Sequence, residues 1–196
     1  MQKLQDNELV NAIVSGDEMA FKELVNTYKD MVFRFCYSVL QNNEDAEDVA
    51  QNVFIQVYHS ASNFRNESKI STWLYRIAIN KSINYLNKNK RFGFLQNIEN
   101  SFFYKEEVQL KENDEIINES LESIKHQILY AAMEKIPPKQ KAAFILNHLE
   151  GLSYNEIADI LSVSHSAVES LIHRAKVNLF DKISKEYRRK KVFERF

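Results

Sequence analysis

The sequence predicts an all-α protein made of two small helical domains joined by a flexible acidic linker. Only three glycines and two prolines occur in 196 residues, which leaves little of the turn chemistry that β-hairpins require. Apolar residues recur at helical spacing over most of the first 90 residues and again toward the end of the chain. We place the domains at residues 1–91 and 121–196, and the linker at residues 92–120.

The first domain is expected to contain three amphipathic helices that share one core. The first runs from about Ala20 to Leu40, and the second starts at Asn43 with a cap from Asn42 or from Asn43 itself. Four acidic residues lie in the first turns of the second helix, where the helix dipole favours negative charge. The third helix starts near Ser71.

Composition excludes several classes of protein. Charged residues make up 27% of the chain and hydrophobic residues 44%, as in ordinary soluble domains. The single Cys36 cannot form an internal disulfide, which fits a reducing cytoplasm and a place in the core. The apolar run at residues 128–133 is far shorter than the roughly 18 residues of a membrane span, and no signal peptide precedes it. We therefore expect a cytoplasmic protein without membrane insertion.

Charge is distributed unevenly although the net charge is only −1. Acids outnumber lysines by eight to two between Glu99 and Glu122. The tail from Arg174 onward is basic, with four consecutive cations at residues 188–191. Basic regions that are separated by an acidic connector can bind DNA although the net charge of the chain is close to zero.

The second domain contains a candidate helix-turn-helix in the stretch "EGLSYNEIADILSVSHSAVESLIHRAK". Ser153 and Glu156 form a capping box, a turn follows at Ser162, and Ser164 caps a second helix. That second helix turns a polar face outward, and its candidate DNA-contacting residues are His165, Ser166, Glu169, Ser170, His173, Arg174 and Lys176. The two histidines lie two turns apart, so we expect no shared metal site there.

The first domain carries three further polar groups of residues. The polar face of its second helix consists of Asp45, Asp48, Gln51, Asn52 and Gln56. The loop before the third helix combines an aromatic ring with cations and amides, as in sites that hold an unstacked base, at Phe64, Arg65, Asn66, Ser68 and Lys69. The third helix adds cations and amides at Arg76, Asn80, Lys81, Asn84 and Lys88.

Two blocks of this sequence resemble a known family. "DAEDVAQNVF" followed by "TWLYRIAIN" is similar to region 2 of bacterial RNA polymerase sigma factors of the extracytoplasmic-function (ECF) group. "IPPKQKAAFILNHLEGLSYNEIADILSVSHSAVESLIHRAK" is similar to region 4 of the same group. The resemblance covers about residues 17–91 and 121–186, in the order that the family has.

The resemblance implies a role for each polar group. The face that includes Asp48 would dock on the clamp coiled coil of the polymerase β′ subunit. The loop at Phe64 would capture a base flipped from the non-template strand of the −10 element, and the helix after Trp73 would face that element, with Trp73 itself mostly in the core. The helix after Ser164 would read the −35 duplex, while its domain contacts the β flap. An anti-sigma factor is the further partner implied, and no cofactor.

Two other functions are alternatives to this one. A helix-turn-helix regulator that does not act as a sigma subunit would explain Glu150 to Lys176, but not "DAEDVAQNVF" or "TWLYRIAIN". A small helical hydrolase using His126 and His148 would need a nucleophile elbow, a phosphate loop or a His–acid arrangement, and the sequence has none of these motifs. The sequence therefore favours an initiation factor that is not an enzyme.

Overall fold

A computed structural model describes residues 6–64, 68–99, 128–129 and 131–193, and this described part is helical without any strand. Among its described residues, the first half contains four α-helices and a short 3₁₀ turn at Ala61–Asn63. The helices are α1 (Asp6–Val14), α2 (Glu18–Leu40), α3 (Asn43–Ser60) and α4 (Ile70–Glu99). The helix α4 continues past residue 91, and the rest of the predicted linker from residue 100 lies outside the described residues.

The described part of the second half has one short helical segment and three further helices. The segment covers residues 128–129 and 131–134. The three helices are α5 (Pro138–His148), α6 (Tyr154–Leu161) and α7 (His165–Phe193). In the part of the chain described, no helix is long and apolar enough to cross a membrane.

Local capping chemistry sets the helix starts in the first domain. The Asp17 carboxylate accepts hydrogen bonds from the backbone N–H groups of Met19 and Ala20, at 2.8 and 3.2 Å, and so opens α2. Of the two predicted caps for α3, Asn42 supplies the bond, because its side-chain oxygen accepts from the Asp45 N–H at 3.0 Å. The three predicted helices are therefore confirmed, whereas α1 was not anticipated.

The core of the first domain is built from the apolar faces of these helices. Fully buried side chains come from α2, α3 and α4, and include Leu24, Val32, Phe35, Val53, Val57, Ile70 and Leu74. The unanticipated α1 adds Leu9, Val10 and Ile13. Cys36 lies in this core as predicted, and burial raises the pKa of its thiol to about 11.

The second domain follows its sequence signals closely. Pro138 occupies the first turn of α5, where its missing N–H costs no hydrogen bond. Both bonds of the predicted capping box are present at the start of α6, between Ser153 and Glu156. Ser162 ends α6 in the left-handed conformation with φ of 53°, and Ser164 caps α7 by accepting from the Ala167 N–H at 3.2 Å. The helix-turn-helix is thus confirmed in its local geometry.

The two domains pack against each other. The helix α4 contacts α5 and α6, and α2 contacts α5. The predicted division into two helical units joined by a tether did not anticipate this packing. It matters for function because α4 carries several of the predicted −10 contacts.

Candidate nucleic-acid and polymerase interface

The predicted reading face of α7 is open to solvent. All seven side chains assigned to it are exposed: His165, Ser166, Glu169, Ser170, His173, Arg174 and Lys176. The opposite side of the helix is buried through Val168, Ile172 and Ala175. The helix therefore presents a row of small and polar groups followed by cations, the chemistry that donates to and accepts from base edges and binds phosphates.

A shallow groove of about 390 Å³ runs along this face. Glu169, Ser170, His173 and Lys176 line it together with Tyr154, the first residue of α6. The Tyr154 ring lies 5.6 Å from the ring of His165, measured between centroids. Tyr154 is not among the predicted DNA contacts, and its place in the groove depends on how α6 crosses α7.

The polar face of α3 is narrower than predicted. Asp48, Gln51 and Asn52 are exposed. Asp45 and Gln56 are half-buried at the edge that meets α4, where Asp45 accepts a short hydrogen bond from the Tyr85 hydroxyl. The side-chain oxygen of Gln56 accepts a hydrogen bond from the Lys81 ammonium of α4 at 3.2 Å. Exposed Ile55 and Tyr58 extend the face with apolar surface that the sequence pattern did not assign.

The loop before α4 is described only in part. Phe64 is half-buried, and its ring packs on Trp73 with a centroid distance of 4.9 Å. Trp73 is half-buried and packs against the core. Ser68 is half-buried, and the exposed Lys69 ammonium lies 3.7 Å from the Glu156 carboxylate of α6. The predicted residues Arg65 and Asn66 lie outside the described residues.

The predicted contacts on α4 fall into two groups. Asn80, Asn84 and Lys88 are exposed. Arg76 is half-buried, and its guanidinium donates two hydrogen bonds to the backbone carbonyl oxygen of Asp159, from Nε at 3.0 Å and from Nη2 at 2.6 Å. The cations Arg76 and Lys69 therefore contact the second domain instead of facing solvent alone.

Among the described residues, no three His, Cys, Asp or Glu side chains lie together in a way that could hold a metal ion. His165 and His173 both point outward on α7.

Comparison with family models finds both predicted blocks. Residues 24–92 match sigma-70 region 2, and residues 126–179 match sigma-70 region 4. A regulator that uses only a helix-turn-helix accounts for the second match and leaves the first unexplained.

Curated relatives are similar over almost the whole chain. The ECF RNA polymerase sigma-E factor of Haemophilus influenzae is 36% identical over 184 residues, which cover 93% of this chain and 97% of that protein. The ECF RNA polymerase sigma factor SigW of Bacillus subtilis is 33% identical, covering 85% of this chain and 90% of that one. The sigma-E factor of Escherichia coli K12 is 33% identical over 96% of this chain.

Solved structures share the fold at lower identity. CnrH in complex with the cytosolic domain of CnrY gives a TM-score of 0.62 at 22% identity, over 92% of this chain and 97% of that one. The sigma factor RpoE from Bartonella quintana, in complex with the anti-sigma factor NepR, gives 0.59 at 22% identity over 84% of this chain. Two family models in the family's order, together with relatives that match nearly end to end, lead to one conclusion: this chain belongs to the ECF family of RNA polymerase sigma factors.

Proposed function

We propose that this chain binds core RNA polymerase and directs it to promoters that carry a −10 and a −35 element. The observation that carries the proposal is the coexistence of two separate polar surfaces on one chain. One is the exposed face of α7, which suits a DNA duplex, and the other is the exposed face of α3, which suits a protein partner.

The −35 duplex is assigned to α7. The outward residues at the start of a recognition helix approach base edges, and here these are His165, Ser166, Glu169 and Ser170. Further along, Arg174 and Lys176 flank the face and can neutralise phosphates. Glu169 is an acceptor suited to cytosine N4, so the preferred duplex would place a cytosine opposite it.

The −10 element is assigned to the loop at Phe64 and to the helix α4. Holding a base outside the stack costs a few kcal/mol, about what stacking on an aromatic ring returns. Phe64 and Trp73 already form an aromatic pair at the point where the loop meets α4. Exposed Asn80, Asn84 and Lys88 then continue along the helix as candidate contacts to the melted strand.

The polymerase contacts are assigned to both domains. Asp48, Gln51 and Asn52 on α3 would dock on the β′ clamp, and the domain around α7 would contact the β flap. The sigma subunit itself performs no bond chemistry in this scheme, because the polymerase supplies it. We also place its action in the cytoplasm, with the polymerase. We expect an anti-sigma factor to bind it, since RpoE from Bartonella quintana is bound to the anti-sigma factor NepR and CnrH is bound to the cytosolic domain of CnrY.

Run-off transcription tests the proposal. Purified core polymerase and a random promoter library are incubated with and without the protein, and the transcripts are sequenced. We expect transcripts that depend on the protein and share two upstream motifs. Absence of such transcripts, together with no complex with core polymerase in gel filtration, would refute the proposal.

Arg174→Ala is expected to weaken binding to the selected −35 duplex about five- to ten-fold, because an exposed cation beside the reading face is lost. Fluorescence anisotropy with a labelled duplex at moderate salt measures the change. Lys185→Ala is the matched control, since it removes a cation from the exposed side of the same helix three turns further on. An equal loss of duplex affinity in both variants would mean that Arg174 contributes only general electrostatic attraction.

A further inference from the structure

Glu150 joins the two domains. Its side chain lies in the second domain just after α5 and is only 3% exposed. The carboxylate accepts hydrogen bonds from Arg34 Nε at 3.1 Å and Arg34 Nη2 at 2.8 Å, both from α2, and from the Tyr75 hydroxyl of α4 at 2.9 Å. A two-pronged guanidinium–carboxylate pair is among the stronger polar contacts in proteins. Burial and the bond to Glu150 raise the pKa of the Tyr75 phenol.

The same contact between domains occupies cations assigned to the −10 element. Arg76 uses two of its nitrogens on the Asp159 carbonyl, at the end of α6. Lys69 pairs with Glu156 at the start of that helix. The two N–H groups that donate to this carbonyl, including the single N–H of Nε, cannot at the same time donate to a DNA phosphate. The packing therefore ties Arg76 to the second domain and places the Lys69 ammonium, which stays exposed, beside an acid of that domain.

The contact has the composition of a reversible interface. Lys141 of α5 is buried and donates to the Val39 carbonyl near the C-terminal end of α2, at 3.2 Å, where a cation is favoured by the helix dipole. A cavity of about 300 Å³ remains between α4 and the helix-turn-helix, lined by Arg76, Asn80 and Lys139 together with apolar side chains. Polar contacts around a cavity hold two domains together less firmly than a close-packed apolar core does. The interface is therefore suited to opening.

We propose that Glu150 is a latch that holds the free chain closed and keeps part of the −10 surface covered by the −35 reader. The inference rests on the proposed function, because it concerns the surface assigned there to the −10 element. The contacts of Glu150 break before the −10 surface binds the melted DNA strand. Binding of the two domains to separate sites on the polymerase would supply the free energy for that opening.

Arg34→Ala gives the sharpest test. It leaves the Glu150 carboxylate buried without its cation, which strongly disfavours the closed state. The Arg34 side chain is 59% exposed, so its removal leaves the core of α2 intact. Loss of a cation by itself would weaken DNA binding, whereas opening frees Arg76 and Lys69 and strengthens it. The loss of a cation and the opening of the chain thus predict opposite changes in DNA affinity.

Energy transfer and DNA affinity measure the opening in the full-length chain. Dyes are attached at Lys22→Cys on α2 and Lys185→Cys on α7, both exposed positions, while buried Cys36 stays unlabelled. We expect Arg34→Ala and Glu150→Ala to lower transfer efficiency. Their affinity for mixed-sequence single-stranded DNA, without polymerase, should rise roughly five-fold. Asp181→Ala, which removes an exposed acid from α7, should leave transfer unchanged.

A charge exchange separates the latch from general loss of stability. Arg34→Glu and Glu150→Arg each place like charges together and should open the chain, and the double variant should restore closure and the lower DNA affinity. Wild-type transfer efficiency in both alanine variants, or weaker DNA binding by Arg34→Ala, would overturn the latch. An open variant that gives no promoter-dependent transcripts with core polymerase would contradict the proposed function and leave the latch standing.

Discussion

Asp48→Lys is expected to weaken binding to core RNA polymerase about a hundred-fold, because charge reversal at the centre of a protein interface removes one attraction and adds a repulsion. Asp48 is exposed on α3 beside Gln51 and Asn52. It is a better choice than Asp45, which belongs to the same predicted face, because reversal at Asp45 would also break the hydrogen bond from Tyr85. Anisotropy of labelled protein titrated with core polymerase gives the affinity.

Glu47→Lys is the matched control for this prediction. It makes the same charge change one residue earlier, about 100° around the helix, at another exposed position. The Glu47 carboxylate accepts a hydrogen bond from the exposed Asn43 amide at 2.8 Å, but this bond lies within α3 and does not join it to α4. We expect it to reduce polymerase affinity far less than Asp48→Lys. Binding of the −35 duplex should be unchanged in both variants, since that site lies on α7. Equal loss of polymerase and duplex binding by Asp48→Lys would argue against the division of labour between the domains.

Local structure was predictable from this sequence because its signals are local. The capping box at Ser153, the proline at the start of α5 and the apolar stripe of α3 each depend on residues within about three helical turns. Helix α1 was missed although its Leu9, Val10 and Ile13 lie at helical spacing. That pattern covers only one turn and gives a weak signal on its own.

The contacts between domains were not predictable because they join residues that are far apart in the chain. Arg34 meets Glu150 across 116 positions, and Arg76 meets the Asp159 carbonyl across 83. Nothing in the composition around Glu150 distinguishes it from a solvated acid. The same limit explains why Asp45 and Gln56 were assigned to an open face, since the pattern of α3 does not reveal Tyr85 and Lys81 on the adjacent helix.

Phe35→Ala is expected to lower the free energy of unfolding of the first domain by about 3–5 kcal/mol, a large part of what a domain of this size has. Phe35 is fully buried in α2, and its ring meets Tyr75 edge-to-face at a centroid distance of 5.5 Å. Removing it leaves a cavity between α2 and α4 that the surrounding helices only partly close. Urea denaturation followed by circular dichroism measures the loss, and Met19→Ala, at a side chain that is 65% exposed, is the control.

The effect of Phe35→Ala on binding shows how a residue that holds the fold differs from a residue that contacts a partner. Polymerase binding and single-stranded DNA binding should fall together, because α3 and α4 are held by the same core, whereas Asp48→Lys should affect only the first. Binding of the −35 duplex should survive, since the second domain has buried residues of its own in Leu146, Ile157 and Ile172. Loss of duplex binding in Phe35→Ala would mean that the two domains fold as one cooperative unit, with the packing between α4 and α6 as a condition of folding instead of a state that opens.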